Sequence, residues 1–458
     1  MVNGMKVVLF RPRPHKDTIG LQNVMICEPL ELEYLASNAE AVGHEVVIVD
    51  MILEKKRISY FLKQHQPEVV GITGYISHVN IIKGYAQKVK AYNPQIKVLV
   101  GGVHAEVNPE DFECEDIDYI IRANGIKTFL EILSKLEHKE PTHQIDCIYH
   151  QKKPAPQKET NFTYLFPARE KVNKYRSKYY YMFHRNCSLI KTSFGCPYQC
   201  KFCFCRKVTD EQYFTRTLEN IMEELLSIKE TEIYIVDDDF LVDKERILEF
   251  CRLLKEKKIE KKFLIYGRAD FIAANEEVIK EFKAVGLRAV IVGLESCDSN
   301  ELMDYNKKTQ VTTNEEAVRI LHKYDVECYG TFILGLDWEK ADFNALAKWI
   351  KKLGLVFVNL QPLTPLRGTE LYEQYRKDFI VKEEEYEKWD LAHLVVKPSH
   401  ISVRKYYYYT ILLYYKITVN PKSAWYMIRK YGLQDTLKLS VGAFKVNLQY
   451  LKKLIGGK

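Results

Sequence analysis

Short β-branched runs alternate with helical patterns twice along this 458-residue chain, and that doubled alternation restricts the fold more than any other feature. The first series occupies residues 5–135. It runs through Lys6-Val-Val-Leu-Phe10, a helical stretch at 30–43, Glu45-Val-Val-Ile-Val49, Val69-Val-Gly-Ile-Thr73, a helical stretch at 81–92, Val98-Leu-Val100, Tyr119-Ile-Ile121 and a helix near 128–136. The second starts at residue 186, with a helix over 217–229, the strand Glu232-Ile-Tyr-Ile-Val236, a helix over 243–257, the strand Phe263-Leu-Ile-Tyr266 and further units to about 366. Each series predicts a parallel sheet flanked by helices, an α/β class, and about six units in the second fit a partial barrel open on one side. Between them, residues 137–185 carry Lys153-Pro-Ala-Pro156, Leu165-Phe-Pro-Ala-Arg169 and the aromatic cluster Tyr179-Tyr-Tyr-Met-Phe183, which predicts an ordered wrap with no helix through its middle.

Directly after the apolar pair Leu189-Ile190 comes Ser193-Phe-Gly-Cys-Pro-Tyr-Gln-Cys-Lys-Phe-Cys203, a short loop opened by Gly195 and Pro197. It sets Cys196, Cys200 and Cys203 at C-x3-C-x2-C spacing. Three thiolates on a four-iron cube leave the fourth iron without a protein ligand, which makes it a reaction site. Cys205 is a fourth thiol, and four thiols can instead hold a structural zinc, although zinc loops come as two separated halves and no second half exists here.

The spacing, Pro197 and the aromatic Phe202 resemble the signature of the radical S-adenosylmethionine (SAM) enzymes. That resemblance implies a [4Fe-4S] cluster whose free iron chelates SAM. Downstream strand ends extend it. Asp237-Asp-Asp239 stands where the family has the motif that meets the SAM amino group, so Asp237, Asp238 and Asp239 are candidates, with a solvated loop as the plain alternative. Arg268 ends the next strand with a fork suited to a carboxylate. In Val292-Gly-Leu-Glu-Ser296, Glu295 with Ser296 matches the acid that accepts hydrogen bonds from the SAM ribose, and Gly330-Thr-Phe-Ile-Leu-Gly335 resembles the stretch that packs on adenine. The last strand, Val356 to Leu360, enters Gln-Pro-Leu-Thr-Pro-Leu-Arg-Gly-Thr369, a longer form of the family's closing turn with Leu366-Arg367 inserted.

Placed before such a core, the first series resembles the cobalamin-binding domain of the cobalamin-dependent radical SAM family, a Rossmann- or flavodoxin-like doubly wound sheet. Gly71, Thr73, Gly74 and Ser77 would face the corrin, and Gly101, Gly102 and His104 the nucleotide tail. Two departures stand out: no D-x-H-x-x-G sequence supplies a lower axial histidine, and Arg122-Ala-Asn-Gly125 replaces a glutamate-rich turn. A flavin is the competing ligand, but Arg11-Pro-Arg-Pro lacks the glycines of a phosphate loop. His104 by itself also reads as an ordinary loop histidine. The domains expected are 1–136 (cobalamin-binding), 137–185 (linker, where Pro-Ala-Arg169 resembles a family P-x-R), 186–370 (partial (β/α)6 barrel) and 371–458 (helical).

The resemblance implies radical abstraction from an unactivated carbon, with C-methylation the main reading and radical cyclisation, ring contraction or rearrangement the alternative. A tRNA sulfur-inserting relative would need a second cysteine trio. A zinc-stapled, non-catalytic interaction protein is the reading from another class. An external donor such as flavodoxin or ferredoxin would supply the electron.

Charge is distributed unevenly. The net +7 conceals a tail, residues 401–458, of +10, while the first 400 residues are −3. Leu433, Leu437, Val441, Phe444, Leu448, Leu451 and Ile455 follow helical spacing, flanked at sevens by Lys438, Lys445 and Lys452. Packing of this face on the barrel is the preferred reading and peripheral contact with a membrane the alternative; the cations suit a small-molecule or lipid substrate of anionic character, and nucleic acid is not expected. The longest apolar run, at 406–415, is ten residues and mostly tyrosine, too short to span a bilayer. The eleven scattered cysteines point to a reducing, cytoplasmic compartment, at most peripheral to the inner face of the membrane.

Overall fold

The computed structural model describes residues 4–20, 24–151 and 156–455; Lys153, Pro154 and Ala155 of the proline-rich connector lie outside the described residues. Two all-parallel sheets carry the fold. The first has five strands in the spatial order Glu45–Asp50, Lys6–Arg11, Val69–Thr73, Lys97–Gly101 and Tyr119–Ile120. In chain order that is 2-1-3-4-5, the doubly wound arrangement. Every residue of Val69–Thr73 is buried, as a strand covered by helices on both faces requires. The helices Leu30–Ala41, Ile58–His65, Val79–Tyr92 and Gly125–Glu137 supply those covers.

The second sheet holds six strands in strict chain order: Ser188–Ile190, Glu232–Ile235, Lys262–Gly267, Leu287–Glu295, Glu327–Leu334 and Phe357–Pro362. Its first and last strands pair with one neighbour each, so the barrel is open on one side. Its helices start where the sequence offers a side-chain cap. Thr217 accepts from the Asn220 amide at 3.3 Å, Asp243 from Arg246 at 3.0 Å and Asp298 from Asn300 at 2.7 Å.

The connector is an extended wrap followed by 3-10 turns over Arg169–Lys178, and it fastens the two sheets together. Arg169 donates to Glu224 at 2.9 Å and to the Leu189 carbonyl at 2.5 Å, while Arg176 holds Glu28. Arg216, fully buried, reaches both Glu224 at 2.7 Å and the Tyr34 hydroxyl of the first domain at 3.2 Å. These buried acids are matched by guanidinium forks, the arrangement under which charge survives in an interior.

Three helices close the chain: Val403–Thr418, Pro421–Tyr431 and Leu433–Ile455. The last packs on the barrel, but not by the face its apolar spacing predicts. Thr436, Gly442 and Tyr450 are its buried positions among the described residues, with the Tyr450 ring 5.9 Å from Tyr414, whose hydroxyl donates to Leu360 of the last barrel strand at 3.1 Å. Leu433, Leu437, Val441, Phe444, Leu448 and Leu451 all face outward. The expectation that they pack on the barrel is therefore corrected: the opposite face, richer in small and aromatic residues, fits against the tyrosines of Val403–Thr418.

Candidate functional site

The three thiols sit in the loop that leaves the first barrel strand, at the carboxyl end of the sheet. A hairpin, Ser193–Phe194 with Phe214–Thr215, brackets the loop, and the rings of Phe194 and Phe214 stack at 4.8 Å. Gly195 opens it at φ +76°; a Cβ there would lie 2.0 Å from the Gln212 carbonyl, so no other residue fits. Asp237 holds the base of the loop. It accepts from the Thr192 amide at 2.6 Å, the Thr192 hydroxyl at 2.5 Å and the Ser193 hydroxyl at 2.7 Å, and it is buried. Both of its oxygens accept from the chain itself.

Asp239 differs from its neighbour. One oxygen accepts from the Leu241 amide at 3.0 Å, whereas Oδ2 is buried with no partner, and burial pushes the carboxyl up to about 8. Asp238 is partly exposed, 3.8 Å from Lys191. Of the three acids, Asp239 is the one with a hydrogen-bonding oxygen to offer inside the mouth.

Arg268 lies over the Tyr198 ring at 3.8 Å. Its fork is occupied by a carboxylate of its own chain, Asp270, with two bonds of 2.9 Å, and Nη2 also donates to the Lys307 carbonyl at 2.6 Å. The fork expected to receive a ligand carboxylate holds Asp270 in this structure. What remains is Nη1, 3.8 Å from Cys200 Sγ.

Glu295 ends its strand at a register irregularity and takes φ +59°, a conformation uncommon for a non-glycine residue and concentrated at functional positions. Its carboxylate meets Lys307 Nζ at 2.9 Å, both side chains nearly buried. Gly293 makes room for the pair: a Cβ there would stand 2.3 Å from the Glu295 oxygen and 2.7 Å from the Lys307 nitrogen. Ser296 is fully buried and donates to Glu301, which also accepts from Trp338 Nε1. Gly335 faces that same Trp338, its missing Cβ replaced by the indole edge at 2.4 Å. Phe202 packs edge-on against Tyr305 at 5.8 Å. Lys307, Glu301 and Trp338 were not legible beforehand; Lys307 belongs to a polar turn, Tyr305-Asn-Lys-Lys308, that reads as ordinary surface.

The thiols respond to this setting. Burial pushes Cys196 up to about 12 and raises Cys200, while Lys307 and Arg268 pull Cys200 back. A hydrogen bond from Cys205 holds Cys203 below the ordinary thiol range. Such a loop resists carrying bare thiolates yet provides two cations beside Cys200, which suits an anionic cluster. Among the described residues no three His, Cys, Asp or Glu side chains gather closely enough for one metal ion. The sulfur donors Cys196, Cys200 and Cys203 lie in one short loop, the pattern of a polynuclear cluster rather than of the two separated halves of a structural zinc site.

Facing the mouth are the carboxyl ends of the first sheet. Gly102 takes φ +101°, and a Cβ would strike the Thr73 hydroxyl at 2.7 Å, so two expected positions form one close-packed corner. Gly74 likewise leaves only 2.9 Å to the His78 side chain. Gly71 is a packing glycine inside its strand, against Leu9 at 2.7 Å. The strand around it is buried throughout. Ser77 lies in the 3-10 turn Ile76–His78 and Gly101 ends its strand, both half-buried. His104 is buried, its Nε2 2.8 Å from Asp111, which also receives Arg367 at 2.6 Å and the Tyr386 hydroxyl at 3.0 Å. The histidine takes part in an interdomain lock that the inserted Arg367 completes.

Tyr75, in the corner between these glycines, is 61% exposed, yet burial pushes its phenol up to about 12, and Tyr266 from the barrel mouth contributes to that shift. Tyr266 is likewise open at 36% and raised by burial. The two rings lie near one another where the carboxyl ends of the two parallel sheets meet.

This juxtaposition defines the class. Residues 18–133 match the B12 binding domain and residues 190–350 the Radical SAM superfamily. The chain belongs to the cobalamin-dependent radical SAM enzymes, whose two domains take cobalamin and SAM with its iron–sulfur cluster. It is 26% identical to the hopanoid C-3 methylase of Methylococcus capsulatus over 88% of this chain and 78% of that one. It is 22% identical to the anaerobic magnesium-protoporphyrin IX monomethyl ester cyclase of Rubrivivax gelatinosus, over 86% and 74%. In fold it is similar to TsrM from Kitasatospora setae, solved with cobalamin and a [4Fe-4S] cluster, at TM-score 0.70 and 15% identity over 98% of this chain and 99% of that one.

Proposed function

We propose that the protein is a radical C-methyltransferase that moves a methyl group of SAM to an unactivated carbon of a small-molecule or lipid substrate. When bound, the cluster supplies the electron that opens SAM and cobalamin carries the methyl group. The carrying observation is the three-thiol loop at the carboxyl end of the barrel sheet together with the glycine-lined corner at the carboxyl end of the first sheet. Cys196, Cys200 and Cys203 hold the cluster, and Cys205 stays outside as a hydrogen-bond donor. Asp239 accepts from the SAM ammonium through its orphan oxygen. Glu295, clamped by Lys307, accepts from the ribose hydroxyls, and the stretch from Gly330 to Gly335 packs on the adenine. Gly74, Gly102 and Thr73 let the corrin approach the backbone. These assignments divide the chain at 1–136, 137–185, 186–370 and 371–458.

Methylation is favoured because relatives along most of the chain are named methylases, among them the hopanoid C-3 methylase. The cyclase relatives favour a second reading, radical ring formation with the same parts. The electron comes from an external donor of the flavodoxin or ferredoxin type, which with the free thiols fits a cytoplasmic setting. No helix among the described residues is long and apolar enough to cross a membrane.

The test is an anaerobic reaction of the reconstituted holoenzyme with methyl-deuterated SAM, reductant and candidate lipid or tetrapyrrole substrates. Product heavier by a labelled methyl is expected. Formation of 5′-deoxyadenosine with an altered, unlabelled product would overturn methylation in favour of the cyclase reading.

A further inference from the structure

The outward face of Leu433–Ile455 is a contiguous apolar stripe. Leu433, Leu437, Val441, Phe444, Leu448 and Leu451 are between 39% and 62% exposed. At 100° per residue they fall within about 80° of arc, and they run for roughly 27 Å along the helix. Lys438, Lys445 and Lys452 are exposed and each follows a stripe residue by one position, so they line a single edge. The helix's own acid, Asp435, is paired with Arg185. Adjoining helices add exposed Tyr415 at 61%, Val419 at 59% and Trp425 at 68%. Folded monomers rarely leave such a stripe to water.

We propose that this face docks in the plane of an anionic lipid bilayer, with the stripe in the acyl boundary and the lysine edge among the headgroups. Three features favour lipid over a protein occupant. The stripe is narrow and runs along one helix, six exposed apolar side chains on a single face, which fits a flat bilayer surface. The tail from residue 401 carries +10, which suits anionic headgroups and opposes pairing with a second copy of the same tail. The indole of Trp425 and the phenol of Tyr415 are amphipathic rings of the kind that settle at headgroup level. A helix of this pattern, with an apolar stripe and lysines on its border, lies in the interface. The inference is independent of the reaction catalysed.

Full-length protein, purified anaerobically, would be sedimented with vesicles of phosphatidylcholine alone and of phosphatidylcholine with phosphatidylglycerol. Binding to the anionic vesicles, weakened by salt, is expected. Leu437→Glu/Phe444→Glu/Leu448→Glu should lower the bound fraction at least tenfold with unchanged thermal melting, because these side chains make no core. Lys438→Gln/Lys445→Gln/Lys452→Gln should weaken binding by about fivefold per lysine. Undiminished binding of the triple glutamate variant would overturn the proposal. So would absence of vesicle binding, whether the protein stays monomeric or forms, by light scattering, a dimer that the glutamates dissolve.

Discussion

The two parallel sheets are built from the same strand–helix unit and bring their carboxyl ends together, yet they furnish the meeting place in different ways. The first presents a corner of small residues in which Gly102, Gly74 and Thr73 touch so closely that no added Cβ fits, with Arg11 and Glu31 near the neighbouring Tyr75. The barrel presents buried charge: Asp239 with its orphan oxygen, the Glu295–Lys307 pair and the Arg268–Asp270 fork beside Cys200. A large macrocycle held along one face needs backbone approach, which glycine provides. A small zwitterion beside an anionic cluster needs directed charges, which the barrel strands provide from several ends at once. The contrast predicts that damage to one side spares the ligand of the other.

The largest effect should come from Cys200→Ala, which removes a cluster donor and strands the two cations around it. Iron content after reconstitution should fall to near background, while hydroxocobalamin still binds with its ordinary absorption spectrum. Loss of both cofactors together would show the sides to be one cooperative unit. Next, Gly102→Val forces a β-branched residue to φ +101° and into the Thr73 hydroxyl. Cobalamin retention on gel filtration should drop at least tenfold with iron unchanged.

Lys307→Met leaves Glu295 buried without its partner, a change that costs about 3 kcal/mol when the pair is desolvated. Denaturant melts of the protein should shift accordingly, and Glu295→Gln in the same chain should restore most of the loss. Smaller still is a pH effect confined to the first sheet. His78 is held down to about 4 by burial, with Arg11 opposing its charge, whereas an unfolded histidine titrates near 6.5. The unfolded chain therefore takes up the proton first as pH falls. Stability is full above 6.5 and declines between 6.5 and 4, on the order of 2 kcal/mol. His78→Asn should flatten that decline in melts at pH 7 and pH 5, leaving the barrel side unaffected.

Much of this was legible in the sequence because strand runs and glycine turns are local signals. The five-strand and six-strand series, the helices starting at Thr217 and Asp243 and the thiol loop all follow from neighbours within a few residues. What the pattern missed is set by side-chain packing. Arg268 shows a fork but not that Asp270, two residues away, fills it. Asp237, Asp238 and Asp239 are indistinguishable on paper, and only packing sends the first into the loop base. Arg367 looked like an inserted irregularity, and the fold uses it to bind Asp111 and Glu383 across the domain boundary. The last helix misled for a related reason: periodicity gives an apolar face but not whether protein or something else covers it.

The most direct measurement is a count of iron and cobalt on one preparation, reconstituted anaerobically with iron, sulfide and hydroxocobalamin, in the wild type and in the Cys196→Ala/Cys200→Ala/Cys203→Ala chain. The account predicts about four irons and one cobalt per wild-type chain, and cobalt alone in the variant. A wild-type protein that takes up a single zinc and neither iron nor cobalt would contradict it.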